Sequence, residues 1–198
     1  KVTYGLEGSI FCAGATIKWL RDTLKLIKTA AETETLAKSI NNTEGVYLIP
    51  AFTGLGAPYW QPEARAAIFG LTRNSGVAQI ARAALEAVGY QTCDLLNAMM
   101  KDGMPQLKTL RVDGGMVANN WLLQFLADIL NLSVQRAQII ETSALGVAYL
   151  AGLSAGVFQS LEEISSLWKS DATCDPDMST IDRKLHYDGW LDAIQRIA

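Results

Sequence analysis

Leu110-Arg111-Val112-Asp113-Gly114-Gly115-Met116-Val117-Ala118-Asn119-Asn120 is the stretch on which the fold turns. A short apolar strand, Thr109 to Asp113, runs into two glycines. An amphipathic helix is expected straight after them, from about Val117 to Leu130, with Leu122, Phe125, Leu126 and Ile129 on one side. The second glycine leaves the backbone without a Cβ, so a ligand can approach it closely. The turn that follows offers unpaired N–H groups and the positive end of a helix dipole. Asn119 and Asn120 add amide donors and acceptors one turn in. Such an arrangement suits a nucleotide, because helix N-termini attract anions. The same residues also spell a plain strand–turn–helix with glycines for tight packing, so both uses stay open at this point.

Working downstream, Ser133 to Arg136 reads as a short strand and Ser143 to Leu153 as a helix of small residues suited to close packing. Leu161 to Trp168 reads as another helix. Ser170 to Met178 reads as a loop whose Asp171, Asp175 and Asp177 lack the spacing of a calcium loop. A last amphipathic helix is expected from about Ser179, with Leu185, Trp190, Leu191 and Ile194 inward. His186 lies on it as a packing or surface residue.

Working upstream, the longest helix is expected from Val77 to Met100, with Ile80, Ala84, Leu85 and Val88 on its inner stripe. Glu86 and Asp94 fall near the stripe edges and read as surface charges. Val46 to Ile49 is a buried-type strand stopped by Pro50. The loop Ala51 to Pro62 is apolar enough to need a surface to pack on. Ala67 to Leu71 is a short apolar segment. Thr33 to Ile40 reads as a weaker helix. Ser9 to about Ile27 reads as a helix, with Ile17, Leu20, Leu24 and Ile27 at helical spacing and a bare start at Ala13-Gly14-Ala15. Val2 to Leu6 reads as a strand already under way, which suggests a chain cut from something longer. Strands alternating with helices predict an α/β layer fold.

The 198 residues are 49% hydrophobic and carry a formal net charge of -3. No basic block interleaves with aromatics, so no nucleic-acid partner is expected. No apolar run approaches the roughly 20 residues of a membrane span. Cys12, Cys93 and Cys174 are far apart and form no C-x-x-C pair, which fits reduced thiols. With His186 the sole histidine, a Ser–His–Asp triad or a multi-histidine metal site is nearly excluded.

These residues together resemble the C-terminal domain of the FGGY carbohydrate kinases. The resemblance runs through Pro50 to Pro62, Ala67 to Glu86, Asp113-Gly114-Gly115 with Asn119-Asn120, and Ala144 to Gly152, in order and over essentially the whole chain. Phe52-Thr53-Gly54-Leu55-Gly56-Ala57-Pro58-Tyr59-Trp60 is the most specific element. It is similar to the loop of the branch that phosphorylates glycerol, and unlike that of the xylulose and other sugar kinases. The resemblance implies an actin-like, ribonuclease H-like α/β domain with a mixed sheet flanked by helices, its first strands lying before Lys1. Residues 1–198 would then form a partial C-terminal domain, without the N-terminal domain.

What the resemblance implies for chemistry follows residue by residue. Gly14 would lie against the nucleotide, with Lys18 one turn on. Gly115 would sit beside the phosphates and ribose, and Asn119 near the adenine. Lys18 stands where many relatives carry Gln, Gln61 where they often carry Asp, and Ala66 where they usually carry Gly. The catalytic aspartate, most glycerol ligands and the carboxylate that handles magnesium would lie before this chain, so it holds no catalytic residue or metal ligand of its own. The implied reaction moves the γ-phosphate of ATP, as its Mg2+ complex, to glycerol. The implied setting is a cytoplasmic homo-oligomer, a dimer or tetramer, paired with its own N-terminal domain. The alternatives are a kinase for another polyol or sugar, and a non-catalytic actin-like nucleotide-binding scaffold.

Overall fold

The structure, a computed structural model, describes Val2 and residues 4–197. Its elements in chain order are α1 (Gly14–Asp22), α2 (Glu32–Lys38), β1 (Tyr47–Ile49), β2 (Ala67–Phe69), α3 (Val77–Lys101), β3 (Thr109–Val112), a 3-10 turn (Gly115–Ala118), α4 (Asn120–Leu130), β4 (Ser133–Ala137), α5 (Thr142–Ser154), α6 (Leu161–Ser166), β5 (Ser170–Cys174) and α7 (Thr180–Gln195). The three-stranded sheet has the order β3-β4-β5. β3 and β4 are parallel, with Leu110 opposite Val134, and β5 runs antiparallel to β4, with Thr173 opposite Gln135. Parallel neighbours need a crossover, and α4 supplies it. β1 and β2 form a separate antiparallel pair, with Leu48 opposite Ile68. The α/β class and the mixed sheet are as expected.

α3 is the spine. The Gln79 side chain accepts a hydrogen bond from the Gly76 amide at 3.0 Å and closes the helix start. Buried Ala81, Ala83, Ala84 and Ala87 keep its inner face thin. β1, α2 and α4 therefore pack close to it. At Gly89 a Cβ would stand 2.7 Å from the Phe125 ring, so the α4 phenyl rests on bare α3 backbone. Two joined apolar clusters result. One holds Leu20, Leu48, Leu85, Leu122 and Val134. The other holds Ile49, Tyr90, Phe125, Trp190 and Ile194.

Several elements differ from the sequence expectation. Val2 and Tyr4 to Leu6 form no strand, and Thr3, the remaining residue of that segment, lies outside the described residues. α1 is shorter than Ser9 to Ile27. It closes when the Leu24 and Leu26 amides fold back on the Trp19 and Leu20 carbonyls, around Lys25 at φ 57°. The Lys28 and Thr29 amides then go to the Glu32 carboxylate. Ile17, Leu20 and Ile27 are buried, but Leu24, past the helix end, is exposed. Ser170 to Cys174 is a strand and not a loop, because β4 pairs with it and Arg136 Nε reaches Asp171 Oδ2 at 2.8 Å. The inward face of α7 runs through His186, Trp190, Ala193 and Ile194, so Leu185 points outward and is 70% exposed. α5 keeps its expected place but buries none of its side chains. Among the described residues no helix is long and apolar enough to cross a membrane.

Glu86 and Asp94 are the largest departure, because both are buried. Glu86 accepts from Arg82 Nε at 2.9 Å and from the Tyr90 hydroxyl at 3.0 Å. Asp94 accepts from the Tyr187 hydroxyl at 2.6 Å and from Trp190 Nε1 at 2.8 Å. Burial raises both carboxyls above their ordinary pKa, and these donors pull partly the other way. The Tyr90 hydroxyl also meets His186 Nδ1 at 3.2 Å, so His186 packs on α3.

Candidate functional site

The strand–Gly–Gly stretch folds into one wall of an open cleft of about 510 Å³. β3 ends at Val112, and Gly114 follows at φ 84° and ψ 173°. Only glycine adopts that conformation without cost. The Gly114 amide donates to the Ile140 carbonyl at 3.0 Å, which pins the turn to the chain after β4. The Thr142 hydroxyl, at the start of α5, hydrogen-bonds to Asp113.

The helix does not begin straight after the glycines. A 3-10 turn, Gly115–Ala118, comes first, and Asn119 is the N-cap of α4. Asn119 Oδ1 accepts from the Leu122 amide at 3.0 Å, and the Asn120 amide donates to Glu34 Oε2 at 3.2 Å. The Asn120 and Leu122 amides at the start of α4 are thus engaged inside the protein. Anion-binding capacity falls to the start of the 3-10 turn, at Gly115 and Met116, where helical geometry supplies no internal acceptor.

Across from this turn stand the start of α2 and the residues before it, Ala30, Ala31, Thr33 and Glu34. Thr33 Oγ1 donates to the Ala30 carbonyl at 2.6 Å and accepts from Asn119 Nδ2 at 3.3 Å. Glu34 is held by Lys38 Nζ at 2.5 Å, which keeps its carboxyl below the ordinary range. Leu85 of α3 and Ile17 of α1 complete the lining, with Gly14 at the first turn of α1.

Gly14, Gly115 and Asn119 therefore come together on one cleft, while Lys18 is exposed one turn further along α1 and is not part of the lining. The two glycines are bare for no internal reason. A Cβ at Gly115 would meet nothing within 4 Å, and one at Gly14 would touch only the Met116 side chain, at an ordinary 3.5 Å. Both have ordinary backbone φ. A second hollow of about 460 Å³ shares Gly14, Gly115 and Met116 in its lining and runs along Leu110 to Asp113.

Sequence reasoning did not single out Thr33, Glu34 or Met116. Thr33 and Glu34 lie in a segment that reads only as a weak helix, and the contacts from Asn119 to Thr33 and from the Asn120 amide to Glu34 reveal them. Met116 stands in the deciding stretch as the first side chain after two bare positions, which is the signal that could have found it. Among the described residues no group of three or more His, Cys, Asp or Glu side chains is arranged to hold a metal ion.

The profile of the FGGY family of carbohydrate kinases, C-terminal domain, matches residues 1–155. A glycerol kinase from Coxiella burnetii is 60% identical over 195 residues, and one from Ectopseudomonas mendocina is 57% identical over 197 residues. The match covers 98% of this chain and 39% of the Coxiella protein, and 100% and 40% in the other pair. Among solved structures, Plasmodium falciparum glycerol kinase with ADP superposes with a TM-score of 0.84 at 36% identity, over 93% of this chain and 37% of that one. A ligand-bound xylulose kinase from Lactobacillus acidophilus superposes with a TM-score of 0.75 at 23% identity, over 93% of this chain and 37% of that one, a likeness of fold.

Proposed function

Because the chain belongs to the FGGY family of carbohydrate kinases, we propose that it forms the nucleotide wall of an ATP-dependent glycerol kinase. The observation that carries this reading is the meeting of Gly14, Gly115 and Asn119, from distant parts of the chain, around one cleft with two bare backbone surfaces. Identity of 60% to a glycerol kinase supports glycerol as the acceptor over other polyols. The Plasmodium glycerol kinase was solved with ADP, which supports a nucleotide as the occupant.

In this reading the adenosine of MgATP lies along the cleft. The base rests between the Ala30–Thr33 side and the Asn119 side. The phosphates pass the Gly115 turn, whose first amides face developing negative charge. A glycerol hydroxyl oxygen attacks the γ-phosphorus, the bond to the β,γ-bridging oxygen breaks, and ADP leaves with that electron pair. The hydroxyl proton passes to a base outside this chain. Phosphoryl transfer is mostly positioning and charge stabilisation, and this chain supplies the positioning of the donor. Magnesium arrives as part of the substrate.

The chain spans about two fifths of the length of the relatives it matches, 39% and 40%. The acceptor site and the base accordingly fall to an N-terminal domain of the same polypeptide. The proposed whole is a cytoplasmic homo-oligomer, a dimer or tetramer. Calorimetric titration of MgADP, run on this chain and on the longer kinase in parallel, tests the reading. Binding to either supports it, with binding to the chain alone placing a formed site within it. Absence of binding to both overturns it.

A further inference from the structure

We propose that Arg82 is a positioning residue for nucleotide binding, setting the width of the cleft from beneath without lining it. The inference rests on the reading of the cleft as the nucleotide site. The two opposed walls are the start of α2 and the turn that leads into α4. Their upper parts touch only lightly, through Asn119 to Thr33 at 3.3 Å and the Asn120 amide to Glu34 at 3.2 Å. Below them α3 carries Leu85 into the cleft floor, and Arg82 lies one turn earlier on the same helix.

Arg82 holds both walls at once. Its Nη1 donates to the Ile40 carbonyl at 2.6 Å and to the Ala37 carbonyl at 3.4 Å, gathering the chain at the end of α2. Its guanidinium carbon stands 4.9 Å from the centre of the Trp121 ring, in the first turn of α4. Its Nε donates to Glu86, which is itself held by Tyr90. The side chain is only 11% exposed, and Glu86 only 1%. A buried, planar, multidentate cation of this kind fixes direction as well as distance. Because α2 is seven residues long, a tilt at its Arg82-held end is carried directly to Ala31, Thr33 and Glu34 at the other.

Lysine at this position keeps a charge, but its single ammonium cannot donate to Glu86 from one nitrogen and to the Ile40 and Ala37 carbonyls from another while laying a plane on the indole. The test is Arg82→Lys, with Trp121→Leu as the second variant, both in the full-length kinase, with nucleotide and acceptor kinetics measured separately. The expected result is a roughly tenfold rise in KM for ATP and in Kd for MgADP, as small misplacement of a bound substrate produces. KM for glycerol and kcat stay within about twofold. Trp121→Leu shows the same split and serves alone if Arg82→Lys does not fold. An unchanged KM for ATP, or equal rises in both KM values with a falling Tm, overturns the proposal, since a packing role alone produces no such split. Failure of the wild-type kinase to bind MgADP overturns the nucleotide reading instead.

Discussion

Asn119 Nδ2 donates to Thr33 Oγ1 at 3.3 Å, joining residues 86 apart in the chain across the top of the cleft. The same asparagine caps α4 through its Oδ1. One side chain thus starts a helix and ties it to the opposite wall. Asn119→Ala is expected to cost about 1 kcal/mol of stability, as loss of an N-cap does, and to weaken MgADP binding. Thr33→Val leaves the α4 cap in place and removes the cross-tie together with the hydroxyl bond to the Ala30 carbonyl, which keeps the Thr33 amide as its donor. It should weaken nucleotide binding while leaving the urea midpoint near wild type, and titration of both variants beside denaturation separates the two roles.

Two glycines are expected to respond in opposite ways. Gly115→Leu adds bulk where a Cβ meets nothing within 4 Å, so the fold should survive while MgADP binding is lost. Gly70 sits at φ 78°, where a Cβ would lie 1.9 Å from the Gly45 carbonyl oxygen. Gly70→Ala should therefore destabilise by more than about 1 kcal/mol, the lower end of the left-handed penalty. Thermal unfolding and calorimetry on both variants check the contrast. Unchanged nucleotide affinity in Gly115→Leu would remove the central assignment.

Asp94 is a buried acceptor for two donors, and Asp94→Ala leaves the Tyr187 hydroxyl and the Trp190 N–H without it. Orphaned buried donors cost about 1–3 kcal/mol each. A loss of about 3 kcal/mol is expected by chemical denaturation, with no change in which nucleotide is bound.

The pH dependence has a definite sign. Burial raises the folded pKa of Asp94 and Glu86, so the fold favours their protonated forms. Their contribution to stability is whole below the unfolded carboxylate pKa, about 4, and is lost as pH rises through the raised folded values. Asp94→Asn cannot ionise. Its stability relative to wild type should therefore increase with pH from about 4 upward. A difference that stays flat with pH would mean that Asp94 ionises at its ordinary value.

The isolated chain should consume no ATP in response to glycerol, because in the proposed reading the base that removes the hydroxyl proton lies outside it. A coupled ADP-release assay on the purified chain checks this. Turnover that scales with its concentration through successive purification steps would contradict it.

The parts legible in the sequence were those set by local chemistry. The Gly114-Gly115 turn, the long alanine-faced α3 and the Gly14 start of α1 are written in consecutive residues, and each stands near its expected place. The burial of Glu86 and Asp94 was not legible. Helical periodicity sees only α3 itself, and His186, Tyr187 and Trp190, which close around these carboxylates and their partners, come from α7. β5 was missed for the same kind of reason. Ser-Asp-Ala-Thr-Cys has little strand propensity of its own, and β4 imposes the conformation through its hydrogen bonds. At Asn119 a short polar residue ahead of an apolar run signals an N-cap. Reading it as one turn inside the helix overlooked that signal.

In the proposed nucleotide site, the bare walls at Gly14 and Gly115 make recognition depend on what is absent. A scan that trims side chains to alanine detects function by deletion, and at these two positions there is nothing to delete. Such a scan would report Thr33, Arg82 and Asn119, and draw a map of the cleft with its two closest approaches left blank. Variation at the same positions can act only by intrusion. Harmful changes there would leave a folded, well-expressed protein whose defect shows only when the ligand is offered.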